Sequence, residues 1–217
     1  MMTIPYNLLL SRVKDSKAID IIIEDLQQQY ESLTNINAPV IESQAFAEQW
    51  CLSTGQSYQL RALRIFKLEK VEQPSQVQGS LRLATENDKQ LLISWFNAFN
   101  SEALGKKSSD LDSESWVDRV LQKQKAYLWD SEIPVSIACS TRSTPNGVGI
   151  NMVYTPPEHR KKGYASACVA GLSQTLLDKG YKFCFLFTDL SNPTSNKIYQ
   201  KIGYKPVADW NNYSFSD

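Results

Sequence analysis

The chain has little of what metal or disulfide chemistry requires. Its 217 residues include a single histidine, His159, and four cysteines, Cys51, Cys139, Cys168 and Cys184, none of them in a CxxC pair. A structural zinc site needs four closely spaced ligands and a disulfide framework needs paired cysteines, so neither is supported and no metal is expected. Lys plus Arg number 23 and Asp plus Glu number 23, which leaves no net charge. That balance excludes the electrostatic footprint of a general nucleic-acid or membrane-surface binder, so neither is an expected partner. No apolar run approaches the roughly 20 residues of a membrane span. The opening MMTIPYNLLLSRVKDS has no basic start and no small-residue cleavage site, so it does not read as a secretory signal. A reducing cytoplasm is the expected compartment. What the chain does have is 42% hydrophobic and 11% aromatic residues, enough for a core in one large or two small domains.

Hydrophobic spacing predicts a short strand around Tyr6 to Leu10, a helix over 16–33, and a second strand at Ala38 to Ile41. A helix from Ser43 to Thr54, stopped by Gly55, and an alternating strand beginning at Ser57 follow. Residues 71–80, VEQPSQVQGS, are polar and carry Pro74 and Gly79, which marks a linker. Beyond it come a short strand LRLA, a capping box at Thr85 and Asp88, a helix bearing Leu92, Trp95 and Phe96, and a helix from about Glu114 to Lys125. Residues 126–154 read as antiparallel strands with a tight turn at Pro145-Asn146-Gly147. A helix from about Ala165 to Lys179, the apolar strand YKFCFLFT, a helix opened by Asn192-Pro193 and closed by Gly203, and a strand from Lys205 to Phe215 complete the order. The element order of 148–217 echoes that of 1–70.

Between the strand ending at Thr155 and the helix that follows lies PPEHRKKGYAS. A helix N-terminus offers unpaired N–H groups and a partial positive charge, and a glycine lets the backbone approach a ligand closely. Arg160, Lys161 and Lys162 add charge, Gly163 supplies the approach, and Ala165 keeps the first turn small. The loop is thereby suited to a pyrophosphate. Neither GxxxxGK[ST] nor GxGxxG is present, which excludes the P-loop and the dinucleotide fingerprint. By itself the loop is a weak signal, since an exposed basic turn before a helix is common and a solvated loop is its more frequent reading.

A second constellation lies in NPTSNKIYQKIGY: Asn192, Ser195, Tyr199, Gly203 and Tyr204. Together the two segments resemble the GNAT superfamily of acyl-CoA-dependent N-acetyltransferases. Arg160, Gly163 and Ala165 match its [RQ]-x-x-G-x-[GA] motif, and the later segment matches N-x-x-[AS]-x-x-x-Y-x-x-x-G-[FY]. The resemblance covers roughly 80–217 and implies an α/β fold, a mixed sheet whose central strands splay apart. It makes residues 1–72 a degenerate, partial GNAT-like domain beginning in mid-fold, and 80–217 the N-acetyltransferase domain. In the first part SRVKDS, without glycine, stands where the cradle would be, and the Trp50-Cys51 region stands near the equivalent of Tyr199. That part is not expected to bind acyl-CoA.

The resemblance further implies acetyl-CoA as cosubstrate, with its pantetheine arm lying between VGINMVYT and YKFCFLFT. Backbone groups of Met152, Val153 and Thr155 would pair with it. The N–H groups of Lys161, Lys162, Gly163, Tyr164, Ala165 and Ser166 would hold the pyrophosphate, and Asn192 would help hold the arm. The implied reaction is direct attack of a neutral primary amine on the thioester through a tetrahedral intermediate. Tyr199 would be the general acid that protonates the leaving thiolate. Spacing alone leaves Tyr199 equally suited to packing with Ile198 and Ile202. For a general base, Asp189 and Glu132 are available, as is water; His159, beside the phosphate loop, reads as exposed. Cys139, Cys168 and Cys184 read as packing. The acceptor is a small amine or the amino group of a larger molecule. A non-catalytic acyl-CoA-binding or sensing module and a pure interaction role are the competing readings, and an uncovered N-terminal sheet edge makes a homodimer an expected assembly.

Overall fold

A computed structural model describes residues 2–3, 7–74, 76–105 and 109–217. Tyr6 of the first expected strand and Ser75 of the expected linker lie outside the described residues. In chain order the elements are β1 (Met2–Thr3), β2 (Asn7–Leu9), α1 (Lys17–Gln29), β3 (Asn35–Pro39), α2 (Val40–Thr54) and β4 (Ser57–Leu68), then β5 (Ser80–Leu83), α3 (Lys89–Leu104), α4 (Asp110–Gln122) and β6 (Ala126–Ser131). They continue with β7 (Ile133–Ser143), β8 (Gly147–Tyr154), α5 (Tyr164–Asp178), β9 (Phe183–Asp189), α6 (Pro193–Ile202) and β10 (Lys205–Ser216). The chain is mixed α/β, as expected. Its two compact units are not consecutive: one is Met1–Ile65 with Phe187–Asn196 and Pro206–Asp217, the other Phe66–Leu186 with Lys197–Lys205.

In the first unit the strand order is β1-β2-β3-β10-β4. β2 and β3 are parallel, and β10 runs antiparallel to β3 from Trp210 opposite Pro39 to Ser214 opposite Asn35. On the far side of β4, the Leu190 N–H donates to the Ala62 carbonyl (2.9 Å) and Arg61 pairs with Asp189 at 2.7 Å. The last strand of the chain thus closes the β2–β3 pair, and β4 adjoins the end of β9. The core gathers Ile19, Ile23, Ile36, Phe46, Trp50 and Tyr213. Buried Gln56 is satisfied by accepting from the Trp50 indole (2.8 Å) and the Leu33 amide (3.2 Å). The strand expected at Ala38 to Ile41 lies earlier. Pro39 keeps the chain extended and Val40 begins the helix, so Ile41 sits on its exposed side at 80% accessibility.

In the second unit the order is β9-β8-β7-β6-β5. β8 and β9 are parallel and the remaining pairs antiparallel. One face carries a core of Phe66, Val148, Ile150, Leu172, Leu186 and Tyr199, and the other a core of Leu92, Trp95, Val117, Ile137, Met152 and Tyr154. The capping box is present as expected, and Arg82 extends it: it reaches both Asp88 oxygens at 2.8 Å and Asp130 at 2.7 Å. α4 begins at Asp110, four residues before the expected start, because Ser109 accepts from the Asp112 amide and caps it there. The expected hairpin forms with a shifted turn: Thr144 and Gly147 bracket it through Thr144 N–H to Gly147 O (2.7 Å), leaving Pro145 and Asn146 at its centre. Gly147 serves close approach, since a Cβ there would lie 2.2 Å from the Phe183 ring.

Candidate functional site

The central feature of the second unit is how β8 parts from both neighbours. Its register with β9 is Gly147 to Phe183, Val148 to Cys184 and Gly149 to Phe185, and the pairing ends there although β8 runs on to Tyr154. Toward β7, Asn151 faces Cys139 and Tyr154 faces Ile137, so Met152 and Val153 oppose the single residue Ala138. That is a β-bulge, and Met152 accordingly has φ 49°. One extra residue reverses the alternation: Ile150 lies in the α5-side core and Met152 in the opposite one. The backbone at 151–153 is therefore turned out of the ladder where the strand pair opens.

The loop after β8 ends in α5, whose first turn has its amides free of backbone acceptors among the described residues. The first backbone bond into the helix is Ala167 N–H to Gly163 O at 3.0 Å. The N–H groups of Lys161, Lys162, Gly163, Tyr164, Ala165 and Ser166 have no acceptor among the described residues. Gly163 is the N-cap at φ 87° and Lys161 has φ 61°, the left-handed conformations found in anion-binding backbone nests. Arg160, Lys161, Lys162 and Gly163 are exposed. Six N–H groups without an acceptor among the described residues, the positive helix end and the exposed Lys161 and Lys162 suit a diphosphate. The N-terminus of α1 offers a contrast. There the Lys17 amide is capped by the Asp15 carboxylate (3.0 Å), and the Ala18 and Ile19 amides bond back to Asp15 O and Ser16 O. That turn is filled and carries negative charge.

Residues 134–214, which contain the bulge, the loop and α6, match the model of the FR47-like protein family. The chain has the fold of GNAT acetyltransferases. Among solved structures, an acetyltransferase from the GNAT family of Colwellia psychrerythraea superposes with TM-score 0.64 at 10% identity, over 93% of this chain and 72% of that one. A GCN5-related N-acetyltransferase from Kribbella flavida gives 0.64 at 15%, over 96% and 78%. A GCN5-related N-acetyltransferase-like protein from Streptococcus suis gives 0.57 at 20%, over 89% and 76%. No curated protein matches the sequence significantly.

Tyr199 packs in the α5-side core, its ring 6.5 Å from Phe66 and 5.9 Å from Tyr204. Burial raises its pKa well above the ordinary phenol range, so it holds its proton at neutral pH. Its hydroxyl has no hydrogen-bond partner among the described residues, and the residue is only 8% exposed. In the first unit, exposed Asn192 caps α6 by accepting from the Ser195 amide at 3.1 Å. Thr155 holds Ser136 through its hydroxyl (2.8 Å), and its carbonyl accepts from Arg160 Nε (2.8 Å). The other end of the Arg160 guanidinium reaches Glu102 of α3 at 2.5 Å, and Glu102 also accepts from the Tyr154 hydroxyl at 3.2 Å. Arg160 thereby ties the loop to Thr155 and Glu102, while Lys161 and Lys162 are exposed.

Of the candidate bases, Asp189 is already engaged. Burial pushes its pKa up, but bonds from Ser191 and Arg61 outweigh that and hold it low, which makes it a weak base. Glu132 is exposed on the β6–β7 turn at φ 71°. His159 is half-buried, its ring edge-on to Tyr164 at 6.4 Å. Burial pushes the Cys168 and Cys184 thiols up to about 12 and that of Cys139 higher, so the three are inert packing groups. Sequence reasoning missed three supports of the site: Glu102 behind Arg160, Val77 within 2.9 Å of a Cβ built on Gly163, and Phe66 against Tyr199. None had a signal, since each acts across more than 50 residues of sequence.

Proposed function

We propose that the protein is an N-acetyltransferase that uses acetyl-CoA to acetylate a primary amine, carried by a small molecule or by a larger acceptor. The observation that carries this reading is the row of six unpartnered amides at the start of α5, next to the bulge where β8 leaves β9. Acetyl-CoA would supply an activated thioester. The amides of Lys161 to Ser166 bind its diphosphate, aided by Lys161 and Lys162, and the turned-out backbone at Met152 and Val153 pairs with its amide-bearing arm. A backbone N–H at Val153 polarises the carbonyl under attack. Tyr199, kept protonated by burial, delivers its proton to the departing thiolate. Residues 1–72 act as a degenerate GNAT-like part and 80–217 as the acetyltransferase part. Their parallels are the order β2-α1-β3-α2-β4 against β8-α5-β9-α6-β10, and the left-handed glycines Gly55 and Gly203 after α2 and α6. The filled first turn of α1 supports one acyl-CoA site per chain.

One observation favours a second reading, a non-catalytic acyl-CoA sensor: Asp189 is tied to Arg61 and Ser191 instead of standing free as a base. Calorimetric titration with acetyl-CoA, followed by thiol release over a panel of amines, separates the two. An enzyme turns over with at least one amine class, and Tyr199→Phe lowers kcat about a hundredfold or more while leaving the acetyl-CoA dissociation constant within about twofold. Binding without turnover supports the sensor, and no binding at all rejects both.

A further inference from the structure

At the other end of the second unit, Lys123, Lys125 and Lys179 ring a cleft of about 200 Å³ floored by Val148 and Leu176. The fifteen residues of α5 separate it from the cradle, roughly 22 Å at 1.5 Å per residue. No carboxylate lines the cleft, and none of the three ammonium groups has an acidic partner among the described residues. Two of them are held by neutral oxygens instead: Lys125 Nζ donates to the Thr141 carbonyl (3.1 Å), and Lys179 Nζ donates to the Tyr127 hydroxyl (3.0 Å). Each ammonium has three N–H groups, so at least two on each remain for a ligand.

The local backbone is committed to this arrangement. α4 ends in a Schellman motif, with Lys125 N–H to Val120 O at 2.8 Å and Gln124 N–H to Leu121 O at 2.9 Å. Its left-handed position, usually glycine, is Gln124 at φ 50°. The turn places Lys123 and Lys125 on either side of that residue, both lining the cleft. The C-termini of α4 and α5 both border the cleft and attract cations, but each amounts to only about half a negative charge. Against three lysines that leaves an excess of roughly two positive charges. The cleft is smaller than the roughly 300 Å³ at which pockets for drug-sized ligands begin, so its occupant is small.

We infer that this cleft is a second anion site, which binds a phosphate group borne by a small metabolite, independently of the acyl donor. A phosphate monoester carries close to two negative charges at pH 7, with its second pKa near 6, and so matches the excess charge.

The test is an amide chemical-shift titration of the labelled protein with inorganic phosphate, pyrophosphate and ribose 5-phosphate, each against sodium chloride at matched ionic strength. The expected result is saturable shifts at Lys125, Thr141 and Lys179, with Lys125→Gln and Lys179→Gln each weakening the dissociation constant about tenfold. Lys123→Gln alters an exposed side chain, so it tests the same charge without risk to the fold. Tighter binding of ribose 5-phosphate than of inorganic phosphate identifies an ester, and the reverse order identifies the free ion. Shifts confined to 161–166, shifts matched by chloride, or affinity unchanged in all three variants overturn the inference. Shifts at 161–166 report on the cradle separately, so the acetyl-CoA reading and this one fail independently.

Discussion

Placing a carboxylate at Gly163 tests the cradle most directly, provided backbone strain is held constant. Gly163 has φ 87°, and a Cβ there would come 2.9 Å from Val77 Cγ2, the movable end of a side chain. Any non-glycine residue therefore costs about 1–2 kcal/mol in backbone strain, which for a chain of this size lowers Tm by about 2–8 °C. Asparagine and aspartate share shape and strain and differ only in charge. A carboxylate 4 Å from a phosphate charge costs about 1 kcal/mol in bulk water and about 4 kcal/mol at an effective dielectric of 20. The cradle is exposed, so the low end applies: about 1–2 kcal/mol, or roughly five- to thirtyfold in affinity. Calorimetric titration with acetyl-CoA should show Gly163→Asp binding weaker than Gly163→Asn by that factor, with a gap that narrows as salt is raised. Equal binding by the two variants, at equal Tm, would refute a diphosphate at the start of α5.

Three further outcomes are expected. Arg160→Ala removes a brace whose partners are about half exposed, so stability should fall by no more than about 1 kcal/mol, while acetyl-CoA affinity drops several-fold as the loop loses its fixed position; a loss of global stability with unchanged affinity would contradict this. The Arg82 hydrogen bond lowers Asp88 from its ordinary 3.8 to about 2 despite burial. Its contribution, at most about 2 kcal/mol, is complete above pH 3.8 and is lost as pH falls through 2, so denaturant unfolding of wild type and Asp88→Asn should converge over that window. Phe66→Ala empties a fully buried site against Tyr199; it should cost about 3–5 kcal/mol and, below its lowered Tm, reduce kcat more than acetyl-CoA affinity.

The local signals were legible because they are short-range. The capping box at Thr85 and Asp88, the Asn192-Pro193 start of α6 and the glycine before α5 each work within one turn of backbone, and sequence neighbours are their physical partners. Hydrophobic periodicity was equally legible for α1, whose Ile19, Ile23 and Leu26 are buried. It failed where packing overrides pattern. Ile41 reads as strand yet lies exposed on α2, and Gly147 reads as a turn glycine yet is small to admit Phe183.

By itself, then, the sequence determined the elements, the cradle loop and the residue types within it, since helix ends, turns and motif spacing are governed by a few adjacent residues. Only the tertiary structure decided that β10 closes the β2–β3 pair, that the bulge at Met152 turns β8 outward, that Arg160 pairs with Glu102, and that three lysines from two helix ends share one cleft. Those facts depend on which strands meet and on where one extra residue falls. Contacts between residues far apart in the chain settle both, and no local pattern encodes them.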